Sequence, residues 1–282
     1  MHEIVTRALI EDLAGGDLTT DATVPSELTG LGIATSKSPL LSCGSTVAQA
    51  VFLAVDPKLE FETLVPDGTW VPSERVLWEV RGSARSILMA ERTALNFVQH
   101  MSGIATLAHR FMREIPVGSS TRIVDTRKTT PGLRALERYA VRAGGAHNHR
   151  DDVGSAILIK DNHITAAGGV AAAVLRARSR APHTSKIEIE VANLDQVEQA
   201  LAAKVDVLML DNFDLVQIRK AVALIAGRAL VEVSGNVTLE RVADLARAGA
   251  DVISVGALTH SAPAADVSLG ILTPMPERPI AA

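Results

Sequence analysis

Beyond residue 120 the chain alternates between two kinds of segment. Short apolar runs occupy 122–124, 156–159, 187–191, 205–210, 230–233 and 252–255. Between them, apolar residues recur at helical spacing over 133–143, 168–180, 194–203, 213–226 and 238–248. Runs that are apolar on both faces, each followed by a helix, predict a parallel sheet covered by helices. An open doubly wound sheet and a β/α barrel both fit this alternation. The barrel is favoured because the runs end at Asp125, Lys160, Glu190, Asp211, Ser234 and Gly256, and barrels gather their sites at the C-terminal ends of the strands.

The first part of the chain has a different rhythm. Ile4, Val5, Ala8, Leu9 and Leu13 line one side of a predicted helix over 2–13, stopped by Ala14-Gly15-Gly16-Asp17. Thr19-Thr20 and Pro25-Ser26 read as loop, 31–36 as a short strand and 44–55 as a helix. Over 60–85, alternation broken at Pro66-Asp67-Gly68 and Pro72 predicts a small antiparallel sheet, with Trp70 and Trp78 as its packing. The longest helical pattern spans 86–112, where Gly103 signals a break or close packing. These rhythms divide the chain into an N-terminal domain over 1–115, which includes the 86–112 helix, a β/α catalytic domain over 116–272, and a loose tail over 273–282 with Pro274, Pro276 and Pro279.

Composition narrows the partners. A net charge of −4 argues against nucleic acid or an acidic membrane surface. No apolar run approaches the ~18–20 residues that span a bilayer, and Met1-His2-Glu3 lacks the basic start of a signal peptide. The expectation is a soluble, cytoplasmic protein. The single cysteine, Cys43, excludes an intramolecular disulfide and reads as a small buried residue.

Against that mild acidity stands a local excess of cations. Arg134, Arg138 and Arg142 are spaced i, i+4, i+8 and read as a solvated helix face. Arg127, Lys128, Arg150 and Lys160 instead sit where apolar runs end, with His147-Asn148-His149 between them. A rim of cations costs stability unless something anionic binds there. Glu190 and Asp211 end adjacent runs, where carboxylates can share Mg²⁺ with phosphate oxygens, or where Glu190 can pair with Lys160. Ser234-Gly235-Asn236 and Val255-Gly256-Ala257 are small-residue turns after the last two runs, suited to cradle a phosphate or simply to turn tightly. Together these features match the charge pattern of phosphoribosyl diphosphate meeting a carboxylated acceptor.

The motifs resemble those of the nicotinate-nucleotide pyrophosphorylase (carboxylating) family, also called quinolinate phosphoribosyltransferase. The likeness runs from Glu11-Asp12 and Gly16-Asp17-Leu18-Thr19-Thr20, through 84–96, 125–134, His149-Arg150, 158–163, Leu210-Asp211-Asn212 and Ser234-Gly235-Asn236, to 256–261. It implies an N-terminal α/β sandwich domain plus an incomplete parallel β/α barrel of the type II phosphoribosyltransferase kind. It also implies a homodimer or hexamer in which Arg92 reaches the neighbouring site. By position, Arg92, Thr126, Arg127, Lys128, His149, Arg150 and Lys160 would bind quinolinate. Ser234, Gly235, Asn236, Val255, Gly256 and Ala257 would bind the 5-phosphate. Lys128, Lys160, Glu190 and Asp211 would be catalytic, and Glu190 and Asp211 would hold Mg²⁺. The implied reaction makes nicotinate mononucleotide, diphosphate and CO₂ in NAD synthesis.

One stretch departs from the family pattern. Asp151-Asp152-Val153-Gly154-Ser155 stands where a variable residue and Gly-Leu usually follow His-Arg, and Ala146 replaces the last of three glycines. A carboxylate ~5 Å from an anion repels it by roughly 3 kcal/mol at an effective dielectric near 20. Asp151 and Asp152 therefore either turn outward or retune the pocket. Two other readings follow, a paralogue with a different aromatic acid acceptor and a non-catalytic phosphosugar-binding protein.

Overall fold

A computed structural model describes residues 1–274. The chain divides into two compact units, one of 1–107, 130–145 and the stretch from 262, the other of 108–129 and 146–261.

The first unit begins with α1 (His2–Leu13), α2 (Leu18–Thr23), β1 (Thr29–Ser36), β2 (Leu40–Leu41) and α3 (Ser45–Val55). It continues through β3 (Glu60–Thr63), β4 (Trp70–Val71), β5 (Val76–Ser83) and α4 (Ala84–Arg113), and includes α5 (Arg134–Ala143) and β12 (Val267–Leu272). Four strands form an antiparallel sheet in the order β12-β1-β5-β3, and β2 pairs with β4. Trp78 on β5 is buried and stacks on Phe61 at 5.1 Å, with Phe52 of α3 edge-on at 5.4 Å. Trp70 does not share this role. It is 45% exposed, because alternation on β4 turns Val71 inward and Trp70 out.

Two further expectations change here, and a third is decided. Thr19-Thr20, read as loop, lie in α2, because the Asp17 side chain caps it by accepting the Thr20 N–H at 2.9 Å. The arginine stripe on α5 is a solvated face only in part, since Arg142 is exposed and Arg134 half-buried but Arg138 is 6% exposed. Its neighbour Glu137 is fully buried, accepting from the Thr130 N–H at 3.1 Å and bonded to His100 Nε2 at 2.9 Å. Spacing alone does not say which side of a short helix meets a core. Gly103 makes close packing rather than a break, because α4 runs unbroken through it and a Cβ there would lie 2.1 Å from the Pro263 carbonyl oxygen. Cys43 is buried and free, and burial raises its thiol above the ordinary range. The loose-tail expectation falls, from residue 275 on, outside the described residues.

The second unit repeats strand and helix. Its strands are β6 (Arg122–Val124), β7 (Ile157–Ile159), β8 (Ile187–Val191), β9 (Val207–Asp211), β10 (Leu230–Ser234) and β11 (Val252–Ser254). Its helices are α6 (Asp161–Ala167), α7 (Val170–Arg180), α8 (Leu194–Ala202), α9 (Leu215–Ile225), α10 (Leu239–Arg247) and α11 (Ala257–His260). The parallel order is β6-β11-β10-β9-β8-β7. First strand beside last is the order of a barrel, and a doubly wound sheet does not produce it. On the free side of β6, Val124 bridges to His147, but no pairing carries this on to β7 among the described residues. The barrel is therefore incomplete. The helix expected over 168–180 is α7, and a separate short helix that the pattern did not predict, α6, precedes it, the two parted by Gly168 and Gly169, both with positive φ. Asp161-Asn162-His163 opens α6, and His163 Nδ1 accepts the Lys160 N–H at 3.0 Å.

Gly103→Ala tests the close contact. Alanine is favoured over glycine in a helix by ~1 kcal/mol, yet the clash with Pro263 predicts net destabilisation of about 1–3 kcal/mol. A lowered thermal midpoint is the expected result, and a raised one would contradict the packing described.

Candidate active site

Strand side chains alternate, so residues two apart face the same way. In this barrel the pairs Leu158 and Lys160, Met209 and Asp211, Glu232 and Ser234, and Ser254 and Gly256 line one cavity of about 860 Å³. Register keeps them level, since Met209 lies opposite Glu190 on β8 and Glu232 on β10. The loops after β6 and after the His147 bridge add Thr126, Arg127, Lys128, His149 and Arg150.

Asp125 is buried and holds the last of these loops. Its Oδ1 accepts the His149 N–H at 2.7 Å and its Oδ2 accepts from Asn148 Nδ2 at 2.6 Å. It does not line the cavity, so the carboxylate ending the first run positions other residues. Arg150 Nη1 donates to the Ala156 carbonyl at 3.1 Å. Burial, and then repulsion from Arg127, lowers Arg150 from its usual value. Arg127 and Arg150 thus converge strongly enough to oppose one another, which an anion between them would relieve. Thr259 Oγ1 donates to the Lys128 carbonyl at 2.7 Å and fixes the loop that carries Arg127 and Lys128.

Beneath the cations lies a group that the sequence reading missed. His149 Nε2 stands 3.3 Å from Glu188 Oε2 and 3.4 Å from Glu232 Oε2, and both carboxylates are buried. Burial opposes a charge on the ring, but Glu188 and then Glu232 outweigh it and push His149 up to about 10. The other ring nitrogen, Nδ1, accepts the Arg150 N–H at 2.7 Å, a bond that a second ring proton would displace. Such a bond contributes about 0.5–1.5 kcal/mol, worth roughly one pKa unit. The carboxylates therefore outweigh it and favour the charged ring. Burial raises the Glu188 carboxyl, and His149 only partly counters it. The available signal was the alternation in Leu230-Val231-Glu232-Val233-Ser234, which puts a charge in mid-strand on the face of Ser234.

On the acidic side, Lys160 Nζ donates to Glu190 Oε2, the pairing weighed against a metal role. Asp211 Oδ2 accepts from Asn212 Nδ2 at 2.8 Å. The turn 234–236 leads towards α10 and the turn 255–257 into α11, and both line the cavity. Gly256 leaves no spare room, since a Cβ would lie 3.1 Å from Lys128 Cδ and 3.2 Å from His260 Nε2.

The structure thus gathers Thr126, Arg127, Lys128, His149, Arg150, Lys160, Glu190, Asp211, Ser234, Gly235, Asn236, Val255, Gly256 and Ala257 around one cavity. Arg92 is exposed on α4 and does not line it. Asp151 and Asp152 are exposed and stay outside the lining, and Asp152 Oδ1 accepts the Gly154 N–H of its own turn at 2.8 Å. The cavity also takes in Met209, Asn212, Glu232, Ser254 and His260, which the sequence reading did not assign to it.

Comparison with known proteins points the same way. Residues 17–102 match the quinolinate phosphoribosyl transferase N-terminal domain, and 104–270 match the C-terminal domain of the same family. The chain is 42% identical to the nicotinate-nucleotide pyrophosphorylase [carboxylating] of Mycobacterium leprae, over 96% of each chain. It is 39% identical to a probable enzyme of that name from Synechocystis, over 94% of this chain and 90% of the relative. The solved nicotinate-nucleotide pyrophosphorylase of Francisella tularensis superposes with a TM-score of 0.90 at 40% identity, covering 96% of this chain and 95% of the other.

The carboxylates' hold on His149 has a pH signature. Its folded value stands above the ordinary 6.5, so the stability it contributes is complete below pH 6.5 and is lost as pH rises towards about 10. Glu232→Gln removes one of the two charges and should lower the ring's titration by about 1–3 units, read by NMR of the imidazole. An unchanged titration would mean that the carboxylates do not set its charge.

Proposed function

The chain belongs to the quinolinate phosphoribosyltransferase family, and from that membership we infer its reaction: quinolinate and phosphoribosyl diphosphate give nicotinate mononucleotide, diphosphate and CO₂ in NAD biosynthesis. The observation that carries this reading is the single cavity that joins convergent Arg127 and Arg150 to Glu190, Asp211 and the two small-residue turns.

Chemistry follows from that division of charge. Quinolinate carries two adjacent carboxylates, on C2 beside the ring nitrogen and on C3. Arg127, Arg150, Lys128 and the charged His149 supply fixed cations for them, and arginine suits bidentate contact with a carboxylate. Thr126 on the same rim adds a hydroxyl. The 5-phosphate fits the turns of Ser234, Gly235, Asn236 and Val255, Gly256, Ala257, where backbone N–H groups are available at helix starts. The ring nitrogen then attacks the anomeric carbon as the bond to diphosphate breaks. Positive charge develops on the ribose, and Glu190 and Asp211 are the preorganised negative groups that stabilise it. Lys160, paired with Glu190, keeps that carboxylate oriented and presents a cation to the acceptor. In the second stage the bond from C2 to its carboxylate breaks, the electron pair stays on C2 beside the now positive nitrogen, CO₂ leaves, and C2 takes up a proton.

Glu190 and Asp211 also fit Mg²⁺, since they are hard oxygen donors from adjacent strands at one cavity wall, and Mg²⁺ commonly takes one or two carboxylates with phosphate oxygens and water. Bound there with the donor, the ion would neutralise charge on the departing diphosphate. Arg92 completes the acceptor pocket of a neighbouring subunit in a homodimer or hexamer, a role supported by its exposure on α4 and by its motif. A cytoplasmic location suits the proposed pathway, and no helix among the described residues is long and apolar enough to cross a membrane. Quinolinate as the acceptor is supported by the family; Asp151 and Asp152 lie outside the lining, although the charge of Asp152 reaches Arg150.

Incubation with quinolinate, phosphoribosyl diphosphate and Mg²⁺ should release nicotinate mononucleotide and CO₂ in equal amounts. Glu190→Ala should lower kcat by about 10²–10³, the typical loss of one transition-state electrostatic group, while Arg127→Ala should mainly raise the KM for quinolinate. A chelator should abolish turnover, with Mg²⁺ restoring it. Product formed equally well under chelation would remove the metal from the scheme, and no product under any of these conditions would overturn the reaction.

A further inference from the structure

Asn212, the residue after Asp211, makes three bonds to groups that belong to two different strand ends. Its backbone N–H donates to the Ser234 carbonyl at 3.0 Å. Its side-chain Nδ2 donates to Asp211 Oδ2 at 2.8 Å, and its Oδ1 accepts from Asn236 Nδ2 at 3.2 Å. The backbone sits in the left-handed region at φ +57, a conformation that asparagine tolerates far better than most residues. Gly235 closes over it, since a Cβ there would lie 2.2 Å from Asn212 Oδ1 and 2.6 Å from its Cγ. Beyond the turn, Arg241 Nη1 holds the Asn236 carbonyl at 2.9 Å. The turn 234–236 and the Asp211 carboxylate are therefore both built against one side chain.

We propose that Asn212 is a positioning residue that sets the spacing between the Asp211 carboxylate and the 234–236 turn, and so tunes the cavity to a phosphorylated pentose that must reach both. The idea rests on the reading above, in which that turn takes the 5-phosphate and Asp211 faces the ribose. A carboxylate left unrestrained rotates freely about its terminal torsion, and an unanchored turn shifts independently of it. A ligand that carries both a phosphate and sugar hydroxyls would then lose binding energy in ordering the two halves of its site. Asn212 removes that cost by holding one oxygen of Asp211 and the tip of the turn with the two ends of a single planar amide. A free phosphate, which needs only the turn, and quinolinate, which needs only the cationic wall, gain nothing from the link.

The test uses the full chain with Asn212→Gly, which keeps the left-handed backbone without strain and removes both side-chain bonds, and with Asn236→Ala, which removes one of them from the other side. Calorimetric titration with ribose 5-phosphate, inorganic phosphate and quinolinate separates the contributions, and steady-state kinetics give the KM for phosphoribosyl diphosphate. Asn212→Gly should weaken ribose 5-phosphate binding and raise that KM by about 10–100-fold, the scale of one or two hydrogen bonds involving a charged group. Inorganic phosphate and quinolinate should bind within about threefold of wild type, on the same scale. The double variant should be little worse than Asn212→Gly alone, because both changes break one link. Equal loss for all three ligands, or no change for ribose 5-phosphate, would overturn the proposal. If the wild-type protein makes no nicotinate mononucleotide, the inferred reaction fails, while the ribose 5-phosphate titration still decides the role of Asn212.

Discussion

The barrel strands present their polar chemistry on the inner face, most of it near their C-terminal ends. Everything functional depends on that constraint. A parallel strand covered by helices is apolar on its outer face, and its inner face alternates with it residue by residue. Lys160, Asp211, Ser234 and Gly256 each sit two residues beyond an inner-face partner, in Leu158, Met209, Glu232 and Ser254. Register between neighbouring strands converts this one-dimensional alternation into level rings.

Charge inside such a cavity has to be balanced, and the balance here is spatially divided. Arg127, Lys128 and Arg150 stand on one wall, while Glu190 and Asp211 stand on the other, with Lys160 bridging to Glu190. Below them Glu188 and Glu232 hold His149 in its charged form against the penalty of burial. Neither buried carboxylate is fully satisfied by hydrogen bonds, as Glu188 Oε1 and Glu232 Oε1 lack partners among the described residues. Such unsatisfied buried groups are costly to stability, and here they stand at the cavity, where sites that break local rules are expected.

Loops complete the site by different means. Asp125 ties 148–149 to the end of β6, Thr259 ties the Lys128 loop to α11, and Asn212 ties β9 to the turn after β10. None of these three needs to touch a ligand to matter. Their common effect is to make each connection share an anchor with a strand or helix end.

Periodicity alone specified the parallel strands, the long α4 and the assignment of cationic and acidic residues to strand ends, because alternation and helical spacing are local properties of the chain. Short ordered motifs were enough to pick out the family. What the sequence left undecided depended on contacts between distant residues. Doubly wound sheet and barrel share a local pattern, and only the pairing of β6 with β11 separates them. Arg138 lies on a stripe that looks solvated until α5 is packed. Whether Asp151 and Asp152 turn outward or retune the pocket was open in the sequence, and the fold leaves both exposed, with Asp152 accepting from Gly154 of its own turn. Glu188 and Glu232 lie in apolar strands with nothing nearby in sequence to pair them, and only the fold brings His149, some 40 and 80 positions away, between them. Side-chain meetings across such separations are set by tertiary register, which no short window of sequence encodes.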